Sequence, residues 1–421
     1  MNRPNTDPPP RGATDALRDR AARRLAGVSE RIRRLALDLH RIPERGSEEL
    51  LTVTRLSGEL EEEGFAVQAG LGGLPTAFRA ERRLGPGGPV IGLLAEFDAI
   101  PGLGHAAGHN LICAAAWGAA VTLAELAGSC GGTVVVVGAP AEETFGGKVV
   151  LARRGLLDDL DAALLAHPWD AHRVAPRTVA SWSFEVRFAG RPAHAVAAPE
   201  RGVDALDAMI RLFVARDELV GRLGEDVSMP GVILEGGVRP NVVPERARAR
   251  FSLRAPSAQS LVEQVVPRFR DLVAAIADRT GVEAEVHPID NLYEEMRPNP
   301  VLAELWCRHA REAGIESASD DGRPIGSLDI GVLSRRVPSL HPLFAIAPAP
   351  LATHTREFAE AAATPQALDA TVGAASLLVA TAVDLLADPG LMRRVREAHE
   401  RASGASWSAP AVPLVTEVPD P

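Results

Sequence analysis

From Val90 to Asp98 the chain reads Val-Ile-Gly-Leu-Leu-Ala-Glu-Phe-Asp, apolar until two carboxylates close the run, and residues 133–137 form a second unbroken apolar, β-branched stretch. Such runs predict strands buried on both faces. The alanine-rich segment 109–127 between them predicts a helix, and a third strand is expected at 162–166. Strand, helix, strand, strand in this order describes an α/β unit on a mainly parallel sheet. Polar residues that follow these strands lie at their carboxyl ends, where open sheets place ligand sites. Upstream, Ile32, Leu35 and Leu39 recur at helical spacing from Ser29, and Pro43 ends that helix. A further helix is expected over 50–63, closed by Gly64 and followed by a strand at 65–67.

Near residue 178 the texture changes. Trp182, Phe184, Val186 and Phe188 alternate with Ser183, Glu185 and Arg187, the period of a strand with one solvated face. Helices at 202–219 and 260–280 and strands at 232–234, 247–253 and 282–286 complete an α+β insert. Beyond it the α/β texture resumes, and Thr364 with Pro365 opens a long final helix to residue 386. The expected organisation is a discontinuous catalytic α/β domain at 16–177 and 292–403, interrupted by a smaller domain at 178–291. Residues 1–15 and 404–421, rich in Pro, Ser or Gly, are expected to be flexible termini.

The length of 421 residues fits two or three domains, at roughly 150 residues each. A formal charge of −10 argues against a general nucleic-acid binder, which needs a basic face. The most apolar stretch, 377–386, is broken by Asp384 and is too short to span a bilayer, so no membrane partner is expected. Cys113, Cys130 and Cys307 are widely spaced and odd in number, which fits a reducing compartment and a cytoplasmic location. Lys148 is the only lysine; every other basic position among the 45 Lys and Arg is arginine.

Four segments concentrate histidines and carboxylates at expected strand ends or helix starts. They are Gly104-His105-Ala106-Ala107-Gly108-His109-Asn110, Pro140-Ala141-Glu142-Glu143-Thr144-Phe145-Gly146-Gly147-Lys148, His167-Pro168, and His354-Thr355-Arg356-Glu357-Phe358. Glu96 and Asp98 at the end of one buried strand would repel each other unless a cation or proton separates them. A metal ion does this, and His109, Glu143, His167 and His354 make an N/O ligand set suited to zinc or manganese, with Glu142 placed to handle the proton of a water. Taken singly, each has an ordinary reading: an exposed imidazole at a helix start, an acidic loop, a histidine satisfied at a strand end. Their joint appearance at successive strand ends favours a site. His105 and His109 are four apart, but the surrounding glycines argue against a zinc pair on one helix face.

These segments resemble the dinuclear-metal aminoacylase and carboxypeptidase family of peptidases, in its amidohydrolase branch, near the p-aminobenzoyl-glutamate hydrolase and cytosolic dipeptidase-like group. The resemblance extends over about residues 30–387. It includes Leu39-His40-Arg41-Ile42-Pro43-Glu44, Glu96-Phe97-Asp98-Ala99-Ile100-Pro101, Gly190-Arg191-Pro192-Ala193-His194-Ala195, Asn241-Val242-Val243-Pro244 and Gly326-Ser327-Leu328-Asp329. It implies a phosphorylase/hydrolase-like catalytic domain and a ferredoxin-like insert serving as dimerisation and lid domain, hence a homodimer. It implies hydrolysis of an amide between an acyl or aminoacyl group and an amino acid. Glu142 then resembles the general base, Asp98 the carboxylate behind the metal, and His109, Glu143, His167 and His354 the ligands of one or two divalent ions. His194 resembles the insert-domain histidine that stabilises the oxyanion in the partner's site. Asn241 and Arg254 resemble groups that hold a substrate carboxylate, where a guanidinium fork suits bidentate pairing. Lys148, in a glycine-rich turn that relatives share, is expected to make either a structural contact or a substrate-carboxylate contact, ahead of a nucleophilic or Schiff-base role.

One departure from the family stands out. The first motif in that branch reads His-Ala-Cys-Gly-His with the cysteine a metal ligand, and here Ala107 takes its place. Cys113, in the following helix, is expected to point elsewhere. A hydrolase with one tightly bound metal fits this change. A relative redirected to forming an amide bond, and a metal-poor peptide-binding protein, remain alternatives.

Overall fold

The computed structural model describes residues 11–318, 322–403 and 407–418. The chain divides into two compact units. The larger comprises residues 1–177, 296–325 and 332–406, and the smaller residues 178–295, 326–331 and 407–421.

In the larger unit the apolar runs form adjacent strands. Val90–Glu96 pairs in parallel with Gly132–Ala139 on one side and with Ala162–Leu164 on the other, and Ala162–Leu164 pairs in parallel with Ser339–Leu340. Phe78–Gly85 and Ala66–Ala69 extend the far edge antiparallel, so the six-stranded sheet is mixed with a parallel centre. Phe78–Gly85 escapes the sequence pattern because Arg79, Glu81, Arg82 and Arg83 hide its alternation. Phe78, Ala80 and Leu84 are buried, while the Arg79 guanidinium is fixed by both oxygens of Asp159 and by Glu81.

The helix His109–Ala124 packs against Arg11–His40 and Pro365–Ala387, and all three contribute to one core with the sheet. Residues 11–15, expected to be frayed, belong to the first of these helices. Its burial of Ala21, Leu25, Val28, Ile32, Leu35 and Leu39 carries the apolar stripe well upstream of the point where its sequence signal is strongest.

Pro365–Ala387 is long and apolar enough to cross a membrane by length and composition, but most of it is buried within the unit. Asp384 explains the polar break in it. The carboxylate accepts from Arg18 Nη2 at 2.6 Å, from Arg308 Nη2 at 2.5 Å and from His309 Nε2 at 3.1 Å. Burial opposes its charge, but the His309 and Arg18 hydrogen bonds outweigh burial and hold its pKa below the ordinary value. Asp384→Asn is therefore expected to destabilise the protein by about 1–2 kcal/mol, a modest figure because both arginines stay half in water. A lowered folded-state pKa contributes stability above the unfolded value that is lost as pH falls through the folded value. The gap in Tm between wild type and variant should accordingly be full at pH 7 and close in strong acid; a gap independent of pH would exclude this role.

The smaller unit is an antiparallel four-stranded sheet in the order Glu283–Pro288, Ala180–Ala189, Arg246–Ala255, Gly231–Glu235, covered by Ala205–Leu223 and Val266–Thr280. Its register places Phe184 opposite Phe251 and Val186 opposite Ala249, facing Met209, Leu212 and Phe269. The other face carries Glu185, which accepts from Arg187 and Arg250. The C-terminal segment expected to be flexible is instead ordered over 407–418. Trp407 Nε1 donates to Glu263 and Asn291 exchanges hydrogen bonds with Val415, while Trp407, Ala409 and Val412 cover the unit's core. These few apolar residues among prolines suffice to dock a segment whose composition alone suggests disorder. Residues 1–10, 404–406 and 419–421 lie outside the described residues.

Candidate functional site

The carboxyl ends of four neighbouring parallel strands supply the site. Gly132–Ala139 leads to Glu142 and Glu143, Val90–Glu96 ends in Glu96 and leads to Asp98, Ala162–Leu164 leads to His167, and Ser339–Leu340 leads to His341. The strand-end rule thus collects donors from segments far apart in sequence.

His109 opens its helix one residue after Gly108, whose φ of +74° is the left-handed conformation glycine adopts freely. A Cβ there would lie 2.5 Å from Pro168 Cγ, so the loop lies directly on the segment that carries His167. The Glu142–Glu143 turn is equally tight. Gly146 N–H donates to Ala141 O, Gly147 N–H donates to Pro140 O, and a Cβ on Gly147 would lie 2.2 Å from that same carbonyl.

Asp98 organises the centre. One oxygen accepts from His109 Nδ1 at 3.1 Å, and the other accepts from the Glu143 backbone N–H at 2.8 Å. Burial penalises its charge, yet the His109 hydrogen bond and charge, with the Glu143 N–H, hold its pKa below the ordinary value. For His109 burial disfavours the imidazolium, but the Asp98 hydrogen bond and the charges of Asp98, Glu96 and Glu143 push the pKa up to about 10. A proton bound this strongly marks a place where positive charge is wanted.

Two groups of donors converge within 4.8 Å: Glu96, His109 and His167, and His109, Glu142 and Glu143. His354 Nε2 lies 3.3 Å from Glu143 Oε1, and its backbone N–H is bound to Ala106 O, which ties its exposed loop to the segment before His109. The chemistry of these donors suits a divalent ion. His109 directs Nδ1 at Asp98 and His167 directs Nδ1 at its neighbour's carbonyl, Pro168 O, at 2.7 Å, so each turns Nε2 towards the cluster. Among the described residues the buried atoms His109 Nε2 and Glu96 Oε2 have no hydrogen-bond partner, which a cation would remedy.

The structure therefore brings together Glu142, Asp98, His109, Glu143, His167 and His354. Lys148 belongs to the cluster through a structural contact and not a substrate one. It is fully buried, with Nζ 2.7 Å from Glu96 Oε1, and has no surface to offer a substrate carboxylate. The repulsion between Glu96 and Asp98 is thus relieved by Lys148 on the first and His109 on the second. Burial works against the Glu96 charge, but Lys148, then His109, His167 and His341, bring its pKa down to about 2. His105 donates Nε2–H to Leu39 O and does not pair with His109. Cys113 Sγ donates to Glu96 O, and burial pushes its pKa well up, so it offers no thiolate.

The remaining three residues lie in the smaller unit. His194 is exposed, and its Nδ1 accepts from the backbone N–H groups of Val196 and Ala197. That fixes the tautomer with a proton on the outward Nε2. Asn241 is exposed, and its carbonyl receives the Ala195 N–H. Arg254 is half-buried; burial lowers its pKa, against the opposing effect of the Asp290 charge.

Two participants were missed in the sequence. Glu49 is fully buried and accepts the Ala141 N–H at 2.9 Å, bracing the turn that presents Glu142. Burial and the nearby Asp98 charge raise its pKa to about 7. No local motif marks it. His341 is buried 5.3 Å from His167 between ring centres, and neither of its nitrogens has a hydrogen-bond partner among the described residues. Its signal was present: Leu340-His341-Pro342 repeats the apolar-His-Pro pattern of Ala166-His167-Pro168 on an adjacent parallel strand.

Residues 178–281 match the peptidase dimerisation domain of the M20 family. The Xaa-Arg dipeptidase of Mus musculus is 34% identical over 399 residues, covering 91% of this chain and 92% of the mouse protein. One of the subunits of the p-aminobenzoyl-glutamate hydrolase of Escherichia coli is 35% identical over 264 residues, covering 58% of this chain and 53% of its own length. Among solved structures, a Bacillus subtilis protein described as a dinuclear metal binding peptidase shares the fold with a TM-score of 0.63 at 21% identity, over 86% of this chain and 99% of its own.

Proposed function

The chain belongs to the M20 family of metal-dependent peptidases and amidohydrolases, and from that premise we propose that it is a zinc-dependent dipeptidase of the cytoplasm acting as a homodimer. That it hydrolyses amide bonds with a bound metal follows from the family. The observation that supports the site is the convergence of two donor groups that share His109, one with Glu96 and His167 and the other with Glu142 and Glu143, at neighbouring strand ends.

A bound divalent ion supplies Lewis acidity towards the scissile carbonyl, and mixed imidazole and carboxylate donors suit zinc, with manganese as the alternative. His109, Glu143, His167 and His354 are the residues that offer ligand atoms to one or two such ions. Glu142 is buried within reach of those donors and takes the proton of the attacking water, then delivers it to the leaving amine. Asp98 fixes the His109 tautomer and the Glu143 backbone. His194, with Nε2–H outward, donates to the developing oxyanion, and Asn241 and Arg254 orient the substrate carboxylate, all from the smaller unit of a second copy.

The homodimer reading rests on the smaller unit's edge. Strand Gly231–Glu235 is the last of its sheet and exposed along its length, with Val232, Ile233 and Leu234 in solvent, and Ile210 and Val214 are exposed on the Ala205–Leu223 helix. An unpaired apolar edge invites a second copy. Free cysteines at 113, 130 and 307 support the reducing compartment.

The mouse relative's name makes dipeptides ending in arginine the first substrates to try, beside N-acyl amino acids. Metal-loaded enzyme should release free C-terminal amino acid from at least one member of such a panel, and chelation should stop the release. Release unaffected by chelation, or none from any member, would count against the reading.

A further inference from the structure

We propose that the ammonium of Lys148 stands in the place of a second metal cation, so that the site binds one divalent ion per chain. This rests on the metal-site reading above and departs from the two-ion description given to the Bacillus subtilis fold relative.

The placement of Lys148 is built into the fold. The missing side chain of Gly147 lets the helix Gly147–Arg153 begin against Pro140, and the next residue, Lys148, is driven beneath the cluster with no exposure. In a chain that otherwise uses only arginine, the one lysine sits here. The difference in shape accounts for it: an ammonium is a compact point charge of roughly ionic size, whereas a guanidinium is a wide planar fork. Nζ lies 2.7 Å from Glu96 Oε1, and both groups are buried. The charge of Glu96 is therefore already matched at Oε1, and only Oε2 stays without a hydrogen-bond partner among the described residues.

The donors that remain serve one ion. The two converging groups share His109, whose single Nε2 lone pair binds one ion at a time. A bridging carboxylate would be needed to hold a pair. Asp98 belongs to neither group, and each of its oxygens already accepts a hydrogen bond, from His109 Nδ1 and from the Glu143 N–H. Glu96 is held by Lys148, Ala107 offers no ligand atom, and the Cys113 thiol is turned to the Glu96 carbonyl. An ion on the Glu96 side would also meet the ammonium across a single carboxylate in a buried setting, where like charges repel strongly. The ion accordingly sits on the Glu143 side of His109.

The test is a metal count on the full chain, stripped with a chelator and reloaded with manganese or zinc. One ion per chain by elemental analysis, with an uncoupled hyperfine pattern in the electron paramagnetic resonance spectrum of the manganese form, is the expected result. Two ions per chain, or a spin-coupled manganese pair, would overturn the proposal while leaving the metal-site reading intact. No bound ion with any metal would remove that reading and this proposal together. Lys148→Met frees Glu96 beside His167 and His341, and the count should rise to two; a folded variant that still binds one ion would show that Lys148 is not what excludes the second. If the variant does not fold, the wild-type count and spectrum decide.

Discussion

Replacing Glu142 by glutamine is expected to lower kcat for amide hydrolysis by a factor of about 10²–10⁴, the range of general acid–base catalysis, while the metal content of the protein stays unchanged. Glutamine keeps the size of the side chain in a buried position and removes only the basic oxygen. The turn that presents it is fixed through Ala141 and Glu49 by backbone hydrogen bonds, which the substitution does not touch. KM should move little, since no ground-state contact is removed. Equal kcat in the two proteins, each at full metal occupancy, would take Glu142 out of the mechanism. A fall in kcat that tracks a loss of metal would instead make Glu142 a ligand.

Asp98→Asn should act through the metal rather than the proton. Asparagine still offers one oxygen to the Glu143 N–H, but it must then present its amide NH₂ to His109 Nδ1. The imidazole responds by moving its proton to Nε2, the atom that faces Glu96 and Glu143, and the lone pair needed by the ion is lost. Loss of such a partner typically costs about 10–100-fold in metal affinity, and the tautomer switch places the expected effect at the upper end. Titration of the stripped protein with a competing chelator measures it. Asp98→Ala, which leaves the imidazole free to choose its tautomer, should bind metal more tightly than Asp98→Asn. The reverse order would show that Asp98 acts by charge alone.

The parts of the fold that could be read from sequence were those where one physical term dominates. Continuous β-branched runs at 90–98 and 133–137 admit little besides buried strands, and the site follows from them because ligands gather at strand ends. His109, Glu143 and His167 could be placed for that reason. Strand Phe78–Gly85 could not, because its burial depends on arginines laid along the sheet and anchored by Asp159, a partner distant in sequence. Lys148 shows the limit most sharply. Its neighbours Gly146 and Gly147 mark a turn and leave a structural and a substrate contact equally open, and nothing local reports that Glu96 is its partner. Glu96 and Asp98 at the end of one strand do need positive charge beside them, and Lys148 on one carboxylate and His109 on the other supply it.

The pairing of Ser339–Leu340 with Ala162–Leu164 also governs the order of events during synthesis. The ribosome makes the Glu96, His109, Glu142 and His167 segments early, then most of the smaller unit, and only afterwards the strand that completes the sheet and the loop that carries His354. The smaller unit has its own core and can fold as it emerges, which shortens the chain that must later be closed into a loop. A nascent chain therefore carries an unfinished cluster, which is completed only once residues 339–354 have emerged.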